Sequence, residues 1–241
     1  IGVINNFFLN LGIIIFYMNL IIRLFQKIVF ILSYLSKNNL NEKSVLKKFK
    51  IQSGIVFDVG SNTGSYVDLL IKTYSSKIEI HSFEPQQNLY ELQKRRYRGL
   101  DIVINNFGLG AENGYSDFYI SSASSQSSYE KRNNQLIGEI KSVEKKKTKR
   151  LDSYCEEKKI DYIDILKIDT EGWEYAILSS AKELLEHKKI GLIKVEITNY
   201  KDNFSKIFSS IEKKGYKFLG FCNQKYANEK LLFVDAYFSA E

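Results

Sequence analysis

The stretch "IVFDVGSNTGSYVDLL", residues 55–70, decides the fold class, because it begins as a β-strand and ends as an α-helix. A continuous apolar run comes first, a helical spacing of apolar residues follows, and two glycines and an asparagine occupy the join. Gly60 and Gly64 permit a sharp turn and a close approach to a ligand, and Asn62 tolerates a left-handed conformation. The spacing D-x-G-x-x-x-G lacks the middle glycine of the dinucleotide pattern. The stretch therefore predicts a strand, a turn and a helix, with a turn that is either structural or ligand-binding.

Six further apolar runs follow the first strand, and helical patterns separate most of them. The runs cover residues 78–84, 101–108, 162–169, 191–197, 216–222 and 230–238. This alternation predicts an open, Rossmann-like α/β sheet that is mostly parallel, with helices on both faces. The clearest helical spacing predicts one helix over residues 173–186. Only about seven residues separate the last two runs, so we expect an antiparallel last strand.

Composition sets broad limits. A chain of 241 residues with 44% hydrophobic content buries one good-sized core, so we expect one principal domain. Cys155 and Cys222 match no metal-ligand spacing and are expected to be buried free thiols, which favours a reducing compartment. The net charge of +7 is weak support for an anionic partner, because lysine is spread along the whole chain.

The first residues differ from the rest of the chain. Residues 1–36 carry almost no charge and many large apolar side chains, and the translated start is expected at Met18. We expect a hydrophobic or amphipathic helix that lies on a membrane surface or packs on the domain, with a single spanning anchor as the alternative. A polar linker over 37–50 and a domain over 51–241 are expected to follow. The expected location is cytoplasmic, peripheral at the inner face of the membrane.

Three carboxylates stand at the ends of predicted strands: Asp58, Glu84 and Asp169. A carboxylate after the second strand is suited to accept hydrogen bonds from the two ribose hydroxyls of a nucleoside, although NAD would share that contact. Several acids beside a glycine turn are unfavourable for a pyrophosphate but suit a ligand that carries a sulfonium and an ammonium group. S-adenosylmethionine is such a ligand. The alternative is that these acids only cap loops.

Five motifs in order carry a family resemblance: "FDVGSNTGSY", "FEPQQNLYEL", "NNFGLGAENG", "LDSYCEEKKIDYIDILKIDTEGWEYAILSSA" and "VEI". From about residue 51 to the end, the chain resembles FkbM-type methyltransferases. The resemblance implies a class I S-adenosylmethionine-dependent O-methyltransferase fold that acts on hydroxyls of sugars, glycolipids or polyketides. It also implies cofactor contacts from the glycine turn, from Glu84 to the ribose, and from Gly108 and Leu109 near the adenine. The turn residues concerned are Asp58, Gly60, Ser61, Asn62 and Gly64.

A sugar hydroxyl is a poor nucleophile unless a base takes its proton. Asp169 and Glu171 in "KIDTEGWE" are the candidate bases. Together with Glu196 they offer oxygen ligands that suit Mg²⁺, although their spacing does not demand a metal. Glu174 is expected to be structural, since an acid in the first turn of a helix stabilises the helix dipole.

An insertion over residues 121–150 is expected to select the acceptor. It is rich in serine and then in charge, and it predicts a mobile lid or, alternatively, a solvated loop. The resemblance places a serine cluster near the acceptor, and Ser125, Ser127, Ser128 and Tyr129 are suited to bind a polyol. We expect a small-molecule, glycan or glycolipid acceptor. The alternatives are an RNA ribose 2′-O-methyltransferase, against which the absence of RNA-binding motifs argues, and an inactive, membrane-docked cofactor-binding protein.

Overall fold

The computed structural model describes the domain that follows the amino-terminal segment. Its described residues are 41–51, 53–74, 78–131, 139–198, 203–227 and 229–240. The chain divides into two compact units, residues 1–39 and 40–241, and every described residue belongs to the second. The predicted helix over 1–36 lies outside the described residues. Within the described ranges, no helix combines the length and the apolar character that crossing a bilayer requires.

Two β-sheets form the framework of the described residues. The strands are β1 (Gly54–Val59), β2 (Ile78–Phe83), β3 (Ile102–Asn105), β4 (Gly108–Leu109), β5 (Gly114–Ser121), β6 (Ile140–Lys149), β7 (Ile163–Ile168), β8 (Ile190–Thr198), β9 (Lys217–Ala227) and β10 (Lys230–Ser239). The larger sheet has the order β3-β2-β1-β7-β8-β10-β9. The five strands β3, β2, β1, β7 and β8 of this sheet are parallel to one another, whereas β10 is antiparallel to both of its neighbours, β8 and β9. The structure confirms the predicted class I methyltransferase-like α/β sheet, including the antiparallel last strand.

Helices cover both faces of the larger sheet. They are α1 (Glu42–Lys48), α2 (Ser65–Tyr74), α3 (Gln87–Arg96), α4 (Leu151–Lys158), α5 (Glu174–Ser179), α6 (Lys182–Glu186) and α7 (Asn203–Glu212), with a short 3₁₀ helix at Ser124–Gln126. Helices α1 and α2 pack in one hydrophobic core, and α4 to α7 pack in the other. Burial on both faces explains the nearly continuous apolar runs, since all nine residues of β8 are buried.

The single helix predicted over residues 173–186 is wrong. The structure has two short helices, α5 and α6, that are separated at Ser180 and Ala181. The interruption has a tertiary cause, because Ser180 bonds outside its own helix. Its hydroxyl oxygen accepts the Leu151 N–H at 3.0 Å, and its carbonyl accepts the Asp152 N–H at 3.1 Å. The chain thus replaces continuous helical bonding with contacts to the start of α4.

The second sheet was not predicted. It has the order β4-β6-β5, and β5 and β6 pair antiparallel. Strand β6 carries the basic run of the insertion, and Lys145 pairs there with Asp117 on β5 at 2.8 Å. The insertion predicted over residues 121–150 thus contributes strand β6 to this sheet, and its residues 132–138 are not among the described residues.

The predicted linker over residues 37–50 contains helix α1. Val45 and Leu46 of this helix are buried in the core shared with α2, and Asn41 caps its first turn through a 2.8 Å bond to the Ser44 N–H. The described part of the predicted linker therefore belongs to the folded unit. Cys155 and Cys222 are free and buried, as expected.

Candidate active site

The turn after β1 has the predicted left-handed residues. Gly60, Asn62 and Gly64 have φ angles of 77°, 50° and 87°. A Cβ atom at Gly60 would lie 1.9 Å from the backbone oxygen of Asp169, so only glycine fits where the turn meets the end of β7. A Cβ at Gly64 would meet the Tyr97 hydroxyl oxygen at 2.3 Å. Gly60 is therefore required by the contact with β7, and Gly64 by the packing of an aromatic ring.

A cavity of about 470 Å³, including its open mouth, lies beyond the carboxyl ends of β1, β2 and β7. The strand order reverses between β1 and β7, which is where open α/β sheets bind ligands. The apolar lining consists of Val59, Phe83, Pro85, Leu109, Phe118 and Tyr129. The polar lining consists of Asn62, Glu84, Gln86, Ser124, Ser125, Ser127, Asp169, Thr170 and Glu171.

Glu84 is the buried carboxyl group of this cavity. One of its oxygens accepts the N–H of Asn62 and the other accepts the N–H of Gln86, each at 2.8 Å. Burial raises the pKa of Glu84 to about 7, although the two hydrogen bonds act in the opposite direction. Each oxygen keeps a further lone pair for a donor from a ligand. The arrangement suits the two neighbouring hydroxyls of a ribose.

A buried ion pair lies beneath the turn. The Lys167 ammonium on β7 is 2.8 Å from the Asp58 carboxylate and donates to the Gly60 carbonyl at 2.8 Å. It also lies 3.6 Å from the carboxylate of Asp169. Burial lowers the pKa of Lys167, but the charges of Asp58 and Asp169 raise it by more, so the pKa stays above its ordinary value. Lys167 thereby connects the turn to the opposite wall of the cavity.

Three further carboxyl groups converge at the end of β7 and β8. One oxygen from each of Asp169, Glu171 and Glu196 lies within 4.8 Å of the others. Glu196 is buried, and its Oε2 has no hydrogen-bond partner within the described ranges. Burial, and then the nearby charges of Asp169 and Glu171, raise the pKa of Glu196 well above its ordinary value. The cluster can hold a proton or attract a cation.

Glu174 has a different role, because it holds the loop that carries Asp169 and Glu171. It is fully buried and accepts the N–H groups of Thr170 at 2.9 Å and of Gly172 at 3.0 Å. These contacts hold the backbone around Glu171, whose φ angle is 60°.

Residues 122–130, here called the strap, run across the cavity from one wall to the other. At one end, the Gln86 side chain donates to the Ser124 carbonyl at 3.2 Å. At the other end, Gln126 donates to the Glu171 carboxylate at 2.9 Å, and the Ser128 hydroxyl donates to the Thr170 carbonyl at 2.9 Å. The strap is therefore fixed to both sides of the cavity.

The structure brings most of the predicted site residues to the cavity. Those that line it are Gly60, Asn62, Glu84, Gly108, Leu109, Ser125, Ser127, Tyr129, Asp169 and Glu171. Those outside its lining are Asp58, Ser61, Gly64, Ser128 and Glu196. Asp58 is fully buried in the pair with Lys167, and the Ser61 hydroxyl bonds to Ser82 and Phe83. Asp58 and Ser61 therefore support the turn without lining the cavity.

Two contributors were missed by reasoning from the sequence. Lys167 interrupts the apolar run "YIDILKID", and a lysine in a largely buried strand requires a buried acidic partner, which is the signal that points to Asp58. Gln86 had no comparable signal, because its contacts with the strap depend on the path of a loop that the sequence does not define.

Comparisons with known proteins agree with this geometry. The family described as Methyltransferase FkbM domain matches residues 58–218, which include the turn after β1, Glu84 and the loop that carries Asp169 and Glu171. A search among curated proteins found no match.

Two solved structures share the fold. Methyltransferase FkbM from Methylobacillus flagellatus KT is 19% identical with a TM-score of 0.51, and the match covers 78% of this chain and 44% of that chain. This chain thus spans less than half the length of that protein. An rRNA methylase from Streptococcus thermophilus is 12% identical with a TM-score of 0.50, and the match covers 82% of this chain and 92% of that chain. At these identities the likeness concerns the fold alone.

Proposed function

Because the chain belongs to the FkbM methyltransferase family, and is thus an S-adenosylmethionine-dependent methyltransferase, we propose that it methylates a hydroxyl of a sugar, a glycolipid or polysaccharide precursor, or a similar polyol. The observation that carries the proposal is that Glu84 and Asp169 line the same cavity. Glu84 would bind the ribose of the methyl donor. Asp169 would face the incoming hydroxyl.

S-adenosylmethionine, when bound, supplies an electrophilic methyl group and its own leaving group, because its carbon–sulfur bond breaks as the acceptor oxygen attacks. The residues of this chain would align the two reactants, which is the main catalytic requirement. Asp169 would take the proton of the acceptor hydroxyl, with Glu171 as the second candidate base. The Lys167 ammonium, 3.6 Å from the Asp169 carboxylate, would keep that carboxylate oriented.

The charge at the acceptor side favours a neutral polyol over RNA. Asp169 and Glu171 lie there beside the buried Glu196, and their negative charges would repel the phosphates of a nucleic acid. Hydroxyl groups of a sugar, in contrast, donate hydrogen bonds to carboxylates. An RNA ribose 2′-hydroxyl acceptor and an inactive cofactor-binding protein are the competing outcomes of the test.

A divalent cation at the three acids is an alternative form of the proposal, in which these acids would hold the cation. Their oxygens lie within 4.8 Å of one another, and Mg²⁺ is bound by oxygen ligands. Within the described residues the buried Glu196 Oε2 has no hydrogen-bond partner, and a cation beside it would stabilise the ionised form of this carboxyl group. A bound cation would lower the pKa of the acceptor hydroxyl. Transfer that is unaffected by a chelator and by added Mg²⁺ would contradict this part.

The location at the inner face of a membrane rests on the sequence of residues 1–36 alone. The full chain is expected to sediment with vesicles that contain anionic lipid and to remain in the supernatant with neutral vesicles. Equal recovery in the supernatant with both kinds of vesicle would contradict this location.

A labelled-methyl assay tests the proposed reaction. The full chain is incubated with methyl-labelled S-adenosylmethionine and with free sugars, nucleotide sugars, glycolipids or RNA. We expect label on a sugar hydroxyl, and we expect Asp169→Asn to keep S-adenosylhomocysteine binding while it loses transfer by about a hundredfold or more. Glu112→Gln, a change at an exposed site outside the cavity lining, is the matched control. Label on RNA alone, or full turnover by Asp169→Asn, would refute the proposal.

A further inference from the structure

The contacts of the strap with Gln86 fix its position near Glu84. The strap is attached to the Gln86 side chain, which donates to the Ser124 carbonyl at 3.2 Å and accepts from the Ser127 hydroxyl at 3.4 Å. The backbone N–H of the same Gln86 is bonded to Glu84. Ser124 and Ser127 of the strap therefore contact Gln86, which is the second residue after Glu84, the carboxyl group suited to the ribose.

We infer that the strap covers the adenosine half of bound S-adenosylmethionine, so that Tyr129 and Ser127 bind the nucleoside and not the methyl acceptor. The inference deepens the proposed function and rests on it. It differs from the expectation from the sequence, which assigned both residues to the acceptor.

Tyr129 provides the aromatic wall for a base. A Cβ atom at Gly108 would lie 2.4 Å from the Tyr129 ring, so the ring lies directly against the backbone of β4. The ring contacts Phe118 edge to face and Trp173 at a tilt, at centroid distances of 4.8 Å and 5.7 Å. Its hydroxyl donates to the Lys147 carbonyl at 3.0 Å. A fixed aromatic ring in a cavity suits stacking on a purine.

The Tyr129 ring shares the cavity with other apolar side chains. Leu109, Phe118 and Pro85 line the cavity together with Tyr129, and the Phe118 ring contacts the Tyr129 ring. A purine is flat and largely apolar, so this lining suits the base of the donor.

The acid cluster offers the acceptor a different set of contacts. The strap reaches this cluster through the bond from Gln126 to the Glu171 carboxylate, at 2.9 Å. Glu196 belongs to the acid cluster but not to the cavity lining. Residues around Glu196, rather than the strap, would then select the acceptor.

Two ligands separate the nucleoside contact from the amino-acid contact. S-adenosylhomocysteine carries both halves, and 5′-methylthioadenosine carries the nucleoside without the amino acid. We titrate the full chain, Tyr129→Ala and Tyr115→Ala with each ligand. Tyr115 is the control because it lies on β5 and is 71% exposed.

Tyr129→Ala is expected to weaken both ligands by the same factor, about tenfold or more, because both lose the same stacking surface. Tyr115→Ala is expected to change neither by more than about twofold. Unchanged affinities in folded Tyr129→Ala would overturn the inference and leave the proposed function standing. Absence of binding by the wild-type protein would overturn both.

If Tyr129→Ala does not fold, hydrogen exchange of the wild-type protein decides the matter. Both ligands are expected to slow exchange of the strap amides, because a covered loop opens less often. Exchange of these amides at an unchanged rate with saturating 5′-methylthioadenosine would overturn the inference.

Discussion

Lowering the pH from about 8 to about 6 is expected to weaken the affinity of the protein for S-adenosylhomocysteine roughly tenfold, because Glu84 takes up a proton. The pKa of Glu84 is raised to about 7 by burial. In the proposed binding mode the ribose hydroxyls would donate to its oxygens, which already accept the N–H groups of Asn62 and Gln86, so binding would require the ionised form. That form falls from about nine-tenths to about one-tenth of the molecules over this range, and the apparent affinity falls in proportion.

The stability of the ligand-free protein changes in the opposite direction. The folded pKa of about 7 exceeds the ordinary value of 4.5, so the folded state holds the proton more tightly than the unfolded state. The stabilising contribution is fully present below the ordinary value and is lost as the pH rises through about 7. A rise in affinity together with a fall in stability, over the same pH range, is therefore specific to a buried carboxyl group that binds the ligand.

Isothermal titration at several pH values measures the affinity, and urea unfolding without ligand measures the stability. Glu84→Gln is expected to bind weakly at every pH, because the amide does not titrate and offers one acceptor instead of two. Glu112→Gln, at an exposed position, is expected to keep the wild-type pH dependence. Equal affinity of the wild-type protein at both pH values, or the same pH dependence in Glu84→Gln, would show that Glu84 only holds the turn.

Two other substitutions test the turn and the ion pair beneath it. Gly60→Ala is expected to abolish S-adenosylhomocysteine binding, because its Cβ would lie 1.9 Å from the Asp169 backbone oxygen. Gly99→Ala is expected to cost only about 1 kcal/mol of unfolding free energy, since residue 99 shares the positive φ but a Cβ there would meet nothing within 4 Å. Similar losses of stability and binding in both variants, measured by denaturation and calorimetry, would contradict this reasoning. Lys167→Met is expected to lower the unfolding free energy by about 3 kcal/mol, because Asp58 is left buried without a cation, and Asp58→Asn is expected to recover part of that loss. A Lys167→Met protein as stable as the wild type in denaturant would show that the pair does not support the turn.

The sequence predicted the parts of the fold that depend on short-range rules. The turn needed glycine at residue 60 for a positive φ, and the buried strands needed continuous apolar residues, as in β8. Strand β6 escaped prediction because most of its side chains, in "IKSVEKKKTK", are exposed, so its sequence has no apolar face to recognise. The break between α5 and α6 escaped because Ser180 bonds to a distant helix, while the local spacing of apolar residues continues through it.

The candidate site was predictable where the chemistry follows directly from a strand end. Glu84 and Asp169 stand at such ends, and both line the cavity. Asp58 also stands near a strand end, but its side chain is directed to Lys167, and the sequence does not show which face of the sheet a ligand occupies. The position of the strap depends on long-range bonds to Gln86 and Thr170, which no local pattern indicates.

Calorimetric titration of the full chain with S-adenosylhomocysteine, and separately with NAD, tests the central claim most directly. The proposed site predicts one bound S-adenosylhomocysteine per chain and no binding of NAD, because the carboxylates beside the glycine turn repel a pyrophosphate. A folded protein that binds NAD, or that binds neither ligand, would contradict the assignment of the cavity to a methyl donor.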